Sequence, residues 1–421
     1  MTKVPKKNAV GEAIAEVVQL GAPSIARRGL REMIFEAGVR TLIEILEEER
    51  TAVCGPRYVH DRDRAAVRGG HVDGELVLGG RLAGVRRPRA RTIDGHEVVL
   101  PSWEAFSDRD PLSARAVEQM IVGVSTRKYD RSLEAVAPQI VTRGTSKSAV
   151  SRRFVATTEA EARAFLARDL SAIDLVVLMI DGLCIEDHVL LVALGIDVDG
   201  KKHVLGLREG ATENAVSCTA LLSDLQSRGL RTDRSILAVL DGSKALAKAV
   251  RAVFGSRVQV QRCQAHKVRN VEAQLPDSMR TSIRQAMRQA YRCRSPERAE
   301  RLLRNLQRRL SADHPGAAAS LEEGLTETLT VMQFGLPEWL ERTLATTNPI
   351  ENLIGSTRDL SRRVKRWRDG RMIVRWTATA LIEAEKNFRR VRGHSGLRFL
   401  AGMLRAGDAA TEPVALGAEV A

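Results

Sequence analysis

Two aspartates of this chain stand in the same local setting. Asp181 follows an apolar run in "LMIDG", and Asp241 follows another in "AVLDG". An Asp-Gly pair after a strand is by itself an ordinary turn, so neither position says much alone. The repetition says more, because the carboxyl ends of neighbouring strands in an open sheet are where a site forms. A third acid, Glu351, opens the segment "TTNPIENLIGSTRDLSRRVKRWRDG", just after a Pro suited to the first turn of a helix. Three carboxylates brought to one point repel one another and raise each other's pKa, so such a set persists only around cations. Hard divalent ions fit: Mg²⁺, with Mn²⁺ as a substitute, takes one or two carboxylates and fills its other positions with water or phosphate oxygen. Two such ions about 4 Å apart activate an attacking hydroxyl and steady the leaving oxygen of a phosphodiester. The predicted chemistry is phosphoryl transfer at a site of Asp181, Asp241 and Glu351.

The residues behind Glu351 suit the same substrate. Arg358, Arg362, Arg363, Lys365, Arg366 and Arg368 follow it closely, and a helix carrying them would track phosphates and bring the scissile bond to the ions. Trp367 and Trp376 interleave with that charge. Trp367 is the better placed to stack on an unpaired or flipped base, and Trp376, inside "VRWTATALIEAE", the better placed for helix packing. "QRCQAHK" holds Cys263 and His266 at the spacing of half a zinc site, but a structural zinc needs four ligands, and Cys293 and His314 stand alone. The pair is read as a support for the acidic site, with His266 near the substrate phosphates. Further upstream, "GTSKSAVSRRF" suits the second helix of a helix-turn-helix. Ala149 and Val150 would face inward and Ser148, Ser151, Arg152 and Arg153 outward, with Lys147, Arg152 and Arg153 reaching DNA. A short basic surface helix in an ordinary bundle would look the same.

The acids need a scaffold, and the segment from Leu175 to His266 supplies one. "LVVLMID", "HVLLVALGID" and "HVLGLRE" read as three strands of a meander. "ATENAVSCTALLSDLQSRGL" reads as a helix with Thr212 as N-cap and Gly229 at its end, "SILAVLD" as a fourth strand, "GSKALAKAVRAVFG" as a helix and "RVQVQRC" as a fifth strand. The order βββαβαβ is that of the ribonuclease H-like α/β fold with a mixed five-stranded sheet. Residues 268–340 read as helical throughout and basic in their first half. Expected domains are an N-terminal helical region (1–52), a small basic β-rich module (53–111), the helix-turn-helix-like region (112–168), the two parts of the catalytic core (169–267 and 341–393) around the helical insertion (268–340), and a tail (394–421). In the first helix Met33, Ile34, Ala37, Leu42, Ile43 and Leu46 are the expected inward residues.

The 421 residues suffice for two or three domains. The 66 Lys and Arg against 52 Asp and Glu leave +14, which favours nucleic acid as partner through counterion release. No apolar run approaches the roughly 20 residues that span a bilayer, and the first residues lack the apolar stretch of a signal peptide. A cytoplasmic protein is expected, with its five scattered cysteines reduced.

"LMIDG", "LREGATENA", "LLSDLQSRGL", "AVLDGSKAL", "QRCQAHKVRNV" and the segment from Thr346 to Gly370 resemble, in order and spacing, the Mutator-type transposases of bacterial insertion sequences. The likeness runs from about Asp174 to Gly393. It implies a DDE triad on Asp181, Asp241 and Glu351, a Cys-x-x-His signature on Cys263 and His266, and an all-helical insertion between the second Asp and the Glu. It also implies an enzyme that binds the terminal inverted repeats of its element, frees a 3′-hydroxyl and joins it to target DNA without an energy cofactor. Two DNA ends acting together call for a homo-oligomer on DNA, associated with the nucleoid. Two other readings share the scaffold: a catalytically silent DNA-binding regulator and a junction-resolving nuclease. The intact triad speaks against the first, and strand joining separates the second.

Overall fold

The computed structural model describes residues 22–59, 64–136, 139–210, 215–362, 364–406 and 408. The chain divides into two compact units, Met1–Thr158 and Glu159–Ala421.

In the first unit, helix α1 (Ala22–Cys54) precedes a hairpin of β1 (Ala66–Leu78) and β2 (Arg81–Thr92), the short β3 (Glu97–Val98), helices α2 (Pro101–Ser107) and α3 (Asp110–Ile121), β4 (Thr142–Arg143) and the start of α4 (Lys147–Leu166). The hairpin closes at Leu78 and Arg81 around Gly79 and Gly80, whose φ of +57° and +80° make the left-handed pair a two-residue turn requires. Phe35, Val39 and Leu42 of α1 share a core with Leu76, Ala83 and Val85 of the hairpin. The inward stripe therefore differs from the expected one. Leu42 and Leu46 are buried, but Met33 and Ile34 are 66% and 63% exposed. Phe35 takes the inward place because its ring seats against Gly79, where a side chain would leave it little room.

Helix α4 begins as expected, with the Ser146 hydroxyl accepting from the Ala149 N–H at 3.3 Å. Val150 is buried and Lys147, Ser148 and Arg152 are exposed. Arg153 is a correction: it is half-buried, and its guanidinium donates to the Gly144 carbonyl instead of pointing outward. Gly144 sits at φ +87°, which turns that carbonyl toward the helix.

The second unit is built on β5 (Leu175–Ile185), β6 (His188–Asp197), β7 (Lys202–Gly210), α5 (Ala215–Ser227), β8 (Ile236–Leu240), α6 (Lys244–Phe254) and β9 (Val258–Arg262). The strands form one mixed sheet in the order β7-β6-β5-β8-β9, antiparallel among the first three and parallel from β5 to β9. The meander and the two later strands are those expected. The N-cap expected at Thr212 lies outside the described residues. Helix α5 ends at Gly229, φ +89°, with Leu230 N–H bonded to the Leu225 carbonyl and Gly229 N–H to that of Gln226.

Beyond β9 the described chain is helical: α7 (Gln264–Glu272), α8 (Asp277–Tyr291), α9 (Pro296–Ser311), α10 (Pro315–Glu322), a 3₁₀ stretch (Thr326–Phe334), α11 (Glu338–Leu344), α12 (Asn348–Ser361), α13 (Gly370–Lys386) and α14 (Leu397–Arg405). Helices α7 to α10 enclose their own core, from Val271 and Met287 to Leu303 and Leu321. Among the described residues no helix is long and apolar enough to cross a membrane.

Strand alternation decides which face of the sheet holds what. Leu178, Ile180, Ala238 and Leu240 face α5 and α6. Val177, Met179, Leu183, Leu237 and Val239 face the other way, packed with Ile350, Leu353 and Ile354 of α12. Positions 181 and 241 continue this second set, so both aspartates lie on the face that α12 covers.

Candidate active site

Register brings the two aspartates together. β5 and β8 pair in parallel at Val177 with Leu237, Leu178 with Ala238 and Met179 with Val239, and two further steps along both strands reach Asp181 and Asp241. The expectation that Asp181 ends its strand needs correction. β5 runs on to Ile185, held by its antiparallel ladder with β6, in which Asp181 pairs Val192. Only its parallel partner stops short, since β8 ends at Leu240, and that frees the space in front of Asp181. Glu186 and Asp187 form the tight hairpin turn that follows, with Glu186 at φ +49°.

Each aspartate is held by the backbone beside it. Asp181 Oδ1 accepts from the Gly182 N–H at 2.7 Å, and Asp241 Oδ1 from the Ser243 N–H at 2.8 Å. Among the described residues neither is in an ion pair. Burial pushes the Asp181 carboxyl above its ordinary range, the Gly182 N–H counteracts this, and the negative charges of Asp241 and Glu351 push it up further, opposed by His266. One side chain thus registers both other acids and the histidine.

Glu351 stands in the first turn of α12, where the helix dipole favours a carboxylate. Pro349 is in that same turn, and Thr347 is the N-cap. The Thr347 hydroxyl does not cap the helix in the usual way. It donates to Glu351 Oε1 at 2.9 Å and lies 3.3 Å from both Cys263 Sγ and His266 Nδ1. Cys263 is itself the N-cap of α7, and its sulfur also accepts from the Thr347 N–H at 3.3 Å. The two helix starts are joined again by the Gln264 N–H and the Ala345 carbonyl at 2.9 Å. His266 Nδ1 lies 3.6 Å from Glu351 Oε1, while its Nε2 faces the Arg269 guanidinium at 3.2 Å; Arg269 reaches Glu351 Oε2 at 3.7 Å.

The Cys-x-x-His pair therefore converges on the glutamate. Donor atoms of Cys263, His266 and Glu351 fall within 4.8 Å of one another, yet the buried sulfur is already an acceptor for Thr347, and the three groups are knit by hydrogen bonds. Burial raises the Cys263 thiol, but the bonds from His266 and Thr347 outweigh it and hold the thiol below its ordinary range. The bond to Cys263 in turn raises His266, whose burial works the other way. The contacts of this set converge on the Glu351 carboxylate. Thr347 and Arg269 escaped the sequence reading; a Thr directly before Asn-Pro, four residues ahead of the acid, is the signal that could have found the first.

The basic run is arranged differently from expectation. α12 stops at Ser361, so Arg358 alone of the run is on the helix, Arg362 is its C-cap, and Lys365, Arg366, Trp367 and Arg368 occupy an irregular connector. Like charges at i, i+4 spacing (Arg358, Arg362, Arg366) withdraw support from a longer helix, and Asp369 starts α13 by accepting from the Met372 N–H at 2.7 Å. Arg358, Arg362, Lys365, Arg366 and Arg368 are exposed, Arg363 lies outside the described residues, and Trp367 is half-buried against the core that α12 covers.

A family model described as "Transposase, Mutator family" matches residues 15–391. The transposase for insertion sequence element IS6120 of Mycolicibacterium smegmatis is 35% identical over 243 residues, 56% of this chain and 72% of that protein. The transposase for insertion sequence element ISRM5 of Rhizobium meliloti is 27% identical over 92% of this chain and 94% of its own length. The transposase for insertion sequence element IS256 in transposon Tn4001 of Staphylococcus aureus is 27% identical over 81% of this chain and 85% of its own.

Proposed function

Since the chain belongs to the Mutator family of transposases, we propose that it binds the terminal inverted repeats of an insertion sequence, cleaves DNA there and transfers the freed strand to a target. Asp181, Asp241 and Glu351 are its catalytic acids, on a ribonuclease H-like core carrying a helical insertion at 268–340. The observation that carries this reading is the pairing of β5 with β8, which sets Asp181 beside Asp241 on the sheet face that α12, the helix of Glu351, covers. Such a cluster, in which among the described residues no cation pairs with either aspartate, suits two divalent ions, Mg²⁺ or Mn²⁺, which the three carboxylates would hold. Held there, such ions would supply activation of an attacking hydroxyl and stabilisation of the leaving oxygen.

The chain's own residues do the rest. The backbone N–H groups of Gly182 and Ser243 fix one oxygen of each aspartate, and the other would serve as a metal ligand. Thr347, Cys263, His266 and Arg269 hold Glu351 in place. The exposed cations Arg358, Arg362, Lys365, Arg366 and Arg368, together with Arg363, bind phosphates along the DNA. Trp367 serves chiefly to anchor the connector that carries them. Lys147 and Arg152 of α4 contact DNA in the helix-turn-helix-like region, and Arg153 braces that turn through Gly144. The enzyme works in the bacterial cytoplasm, as a homo-oligomer on paired ends.

The test is strand cleavage and joining on oligonucleotides bearing the element's ends, with Mg²⁺. Glu351→Gln and Asp181→Asn should each abolish cleavage and leave end binding intact. Cleavage by either variant at the wild-type rate would refute the assignment, and cleavage without joining would point to a nuclease instead.

A further inference from the structure

A second feature lies beside the acid cluster. Past Asp241 the chain turns into α6, and between that helix and the segment after α10 opens a cleft of about 440 Å³ lined from Leu240 and Gly242 to Glu327. Leu246, Ala249, Val250 and Phe254 bury one side of α6. The opposite side presents Lys244, Lys248 and Arg251, all exposed. At i, i+4 and i+7 they span about 10 Å, roughly the rise of three nucleotides of one strand measured along the axis of a duplex.

An exposed cationic row on a helix is ordinarily just solvated; this one faces a wall. Lys244 Nζ lies 3.1 Å from Glu323 and Arg251 lies 2.6 Å from Glu327. Lys248 is in no ion pair among the described residues. Arg262 forms the floor. It is 6% exposed, donates to the Glu323 carbonyl at 2.8 Å and its carboxylate at 3.0 Å, and keeps Nε buried without a partner. Gly242 and Gly324 press on its guanidinium so closely that a Cβ would come within 2.6 Å and 2.7 Å of it. Four cations thus meet two carboxylates in a cleft whose rim, at Ser243, is hydrogen-bonded to Asp241. That is more positive charge than the two acids neutralise, with three of the cations in a row along one side of a helix.

We propose that this cleft is a track for the phosphate backbone of the DNA strand passing the acids, and that Glu323 and Glu327 occupy its cations until phosphate displaces them. The proposal rests on the DNA-processing function given above, and its test can fail separately. Full-length protein is titrated with a labelled duplex of random sequence across a salt series. Lys248→Glu combined with Arg251→Glu should weaken binding about tenfold or more at physiological salt and flatten the log–log salt slope by about two. Glu323→Gln combined with Glu327→Gln should tighten binding several-fold, a gain that misfolding cannot produce. Unchanged affinity and slope in the first variant would overturn the track, and no gain in the second would overturn the displacement. Asp181→Asn, assayed for cleavage of end-bearing DNA with Mg²⁺, reports on the catalytic assignment alone. If that variant still cuts DNA while the reversed cations lose DNA, the track stands and the catalytic assignment falls.

Discussion

Thr347→Val isolates what the contacts around Glu351 contribute. The substitution keeps the volume and shape of a side chain that is wholly buried, and it leaves the Thr347 N–H on Cys263 Sγ. What disappears is the hydroxyl, and with it the 2.9 Å bond to Glu351 Oε1 and the 3.3 Å contacts to the sulfur and to His266. A hydrogen bond to a charged group contributes about 1.5–3 kcal/mol. A factor of ten in rate is about 1.4 kcal/mol. If that bond holds Glu351 in its working position, single-turnover cleavage of an end-bearing oligonucleotide should slow about ten- to a hundredfold, in the range expected when a group supporting a metal-binding acid is lost. The loss should shrink at high Mg²⁺ concentration, because a looser carboxylate binds the ion more weakly. DNA affinity should not move. Thr347→Ser restores the hydroxyl and should recover most of the rate. A Thr347→Val protein that cleaves at the wild-type rate across the whole Mg²⁺ titration would refute the idea that this network aims the glutamate.

Two further expectations concern neighbours of the site. Gly242 follows Asp241 at φ +113°, and a Cβ there would come 2.6 Å from Arg262 Nε; Gly242→Ala should cost about 1–3 kcal/mol in urea unfolding and slow cleavage by shifting Asp241, and an equally stable variant would contradict the geometry. Lys267 is buried, its ammonium donates to the Ser320 and Glu323 carbonyls, and burial pushes its pKa down from 10.5 to about 8. Below about pH 8 both folded and unfolded chains are protonated there. Between about 8 and 10.5 the unfolded chain binds more protons, so this group makes native stability rise with pH, by up to about 1.4 kcal/mol per unit. Lys267→Met should lack that rise, and urea midpoints that run parallel for the two proteins through this range would refute it.

What could be read from the residues was whatever depends on neighbours in sequence. Apolar runs of strand length marked all five strands of the mixed sheet, and the repeated strand-then-Asp-Gly pattern marked the two aspartates, since both signals are local. The extent of β5 beyond Asp181 was not legible, because where a parallel ladder stops depends on the length of its partner β8. Nor was the fate of Arg153, which is turned inward by the positive φ of Gly144. Met33 and Ile34 fit a helical period as well as Phe35 and Val39 do, and only the hairpin they had to cover chose between them. Thr347 stayed hidden because its partner Cys263 is 84 residues away in the chain.

That separation is also what lets the acid of α12 be reliably placed. The helical excursion leaves the sheet at Cys263 and returns at Ala345, and Gln264 bonds Ala345 directly. Its two ends are therefore one hydrogen bond apart. The cost of closing so long an excursion grows only slowly with its length, and its helices pack on a core of their own. Lengthening or reshaping helices α8 to α10 should thus leave Glu351 where it is. Any change at the clamp, by contrast, acts on Cys263, Thr347 and Glu351 at once, since all three belong to the same pair of helix starts. The position of Glu351 is thus set where the excursion begins and ends, by Cys263, His266 and Arg269 at its start and by Leu340 and Leu344, which share a core with Ile350 of α12, at its end.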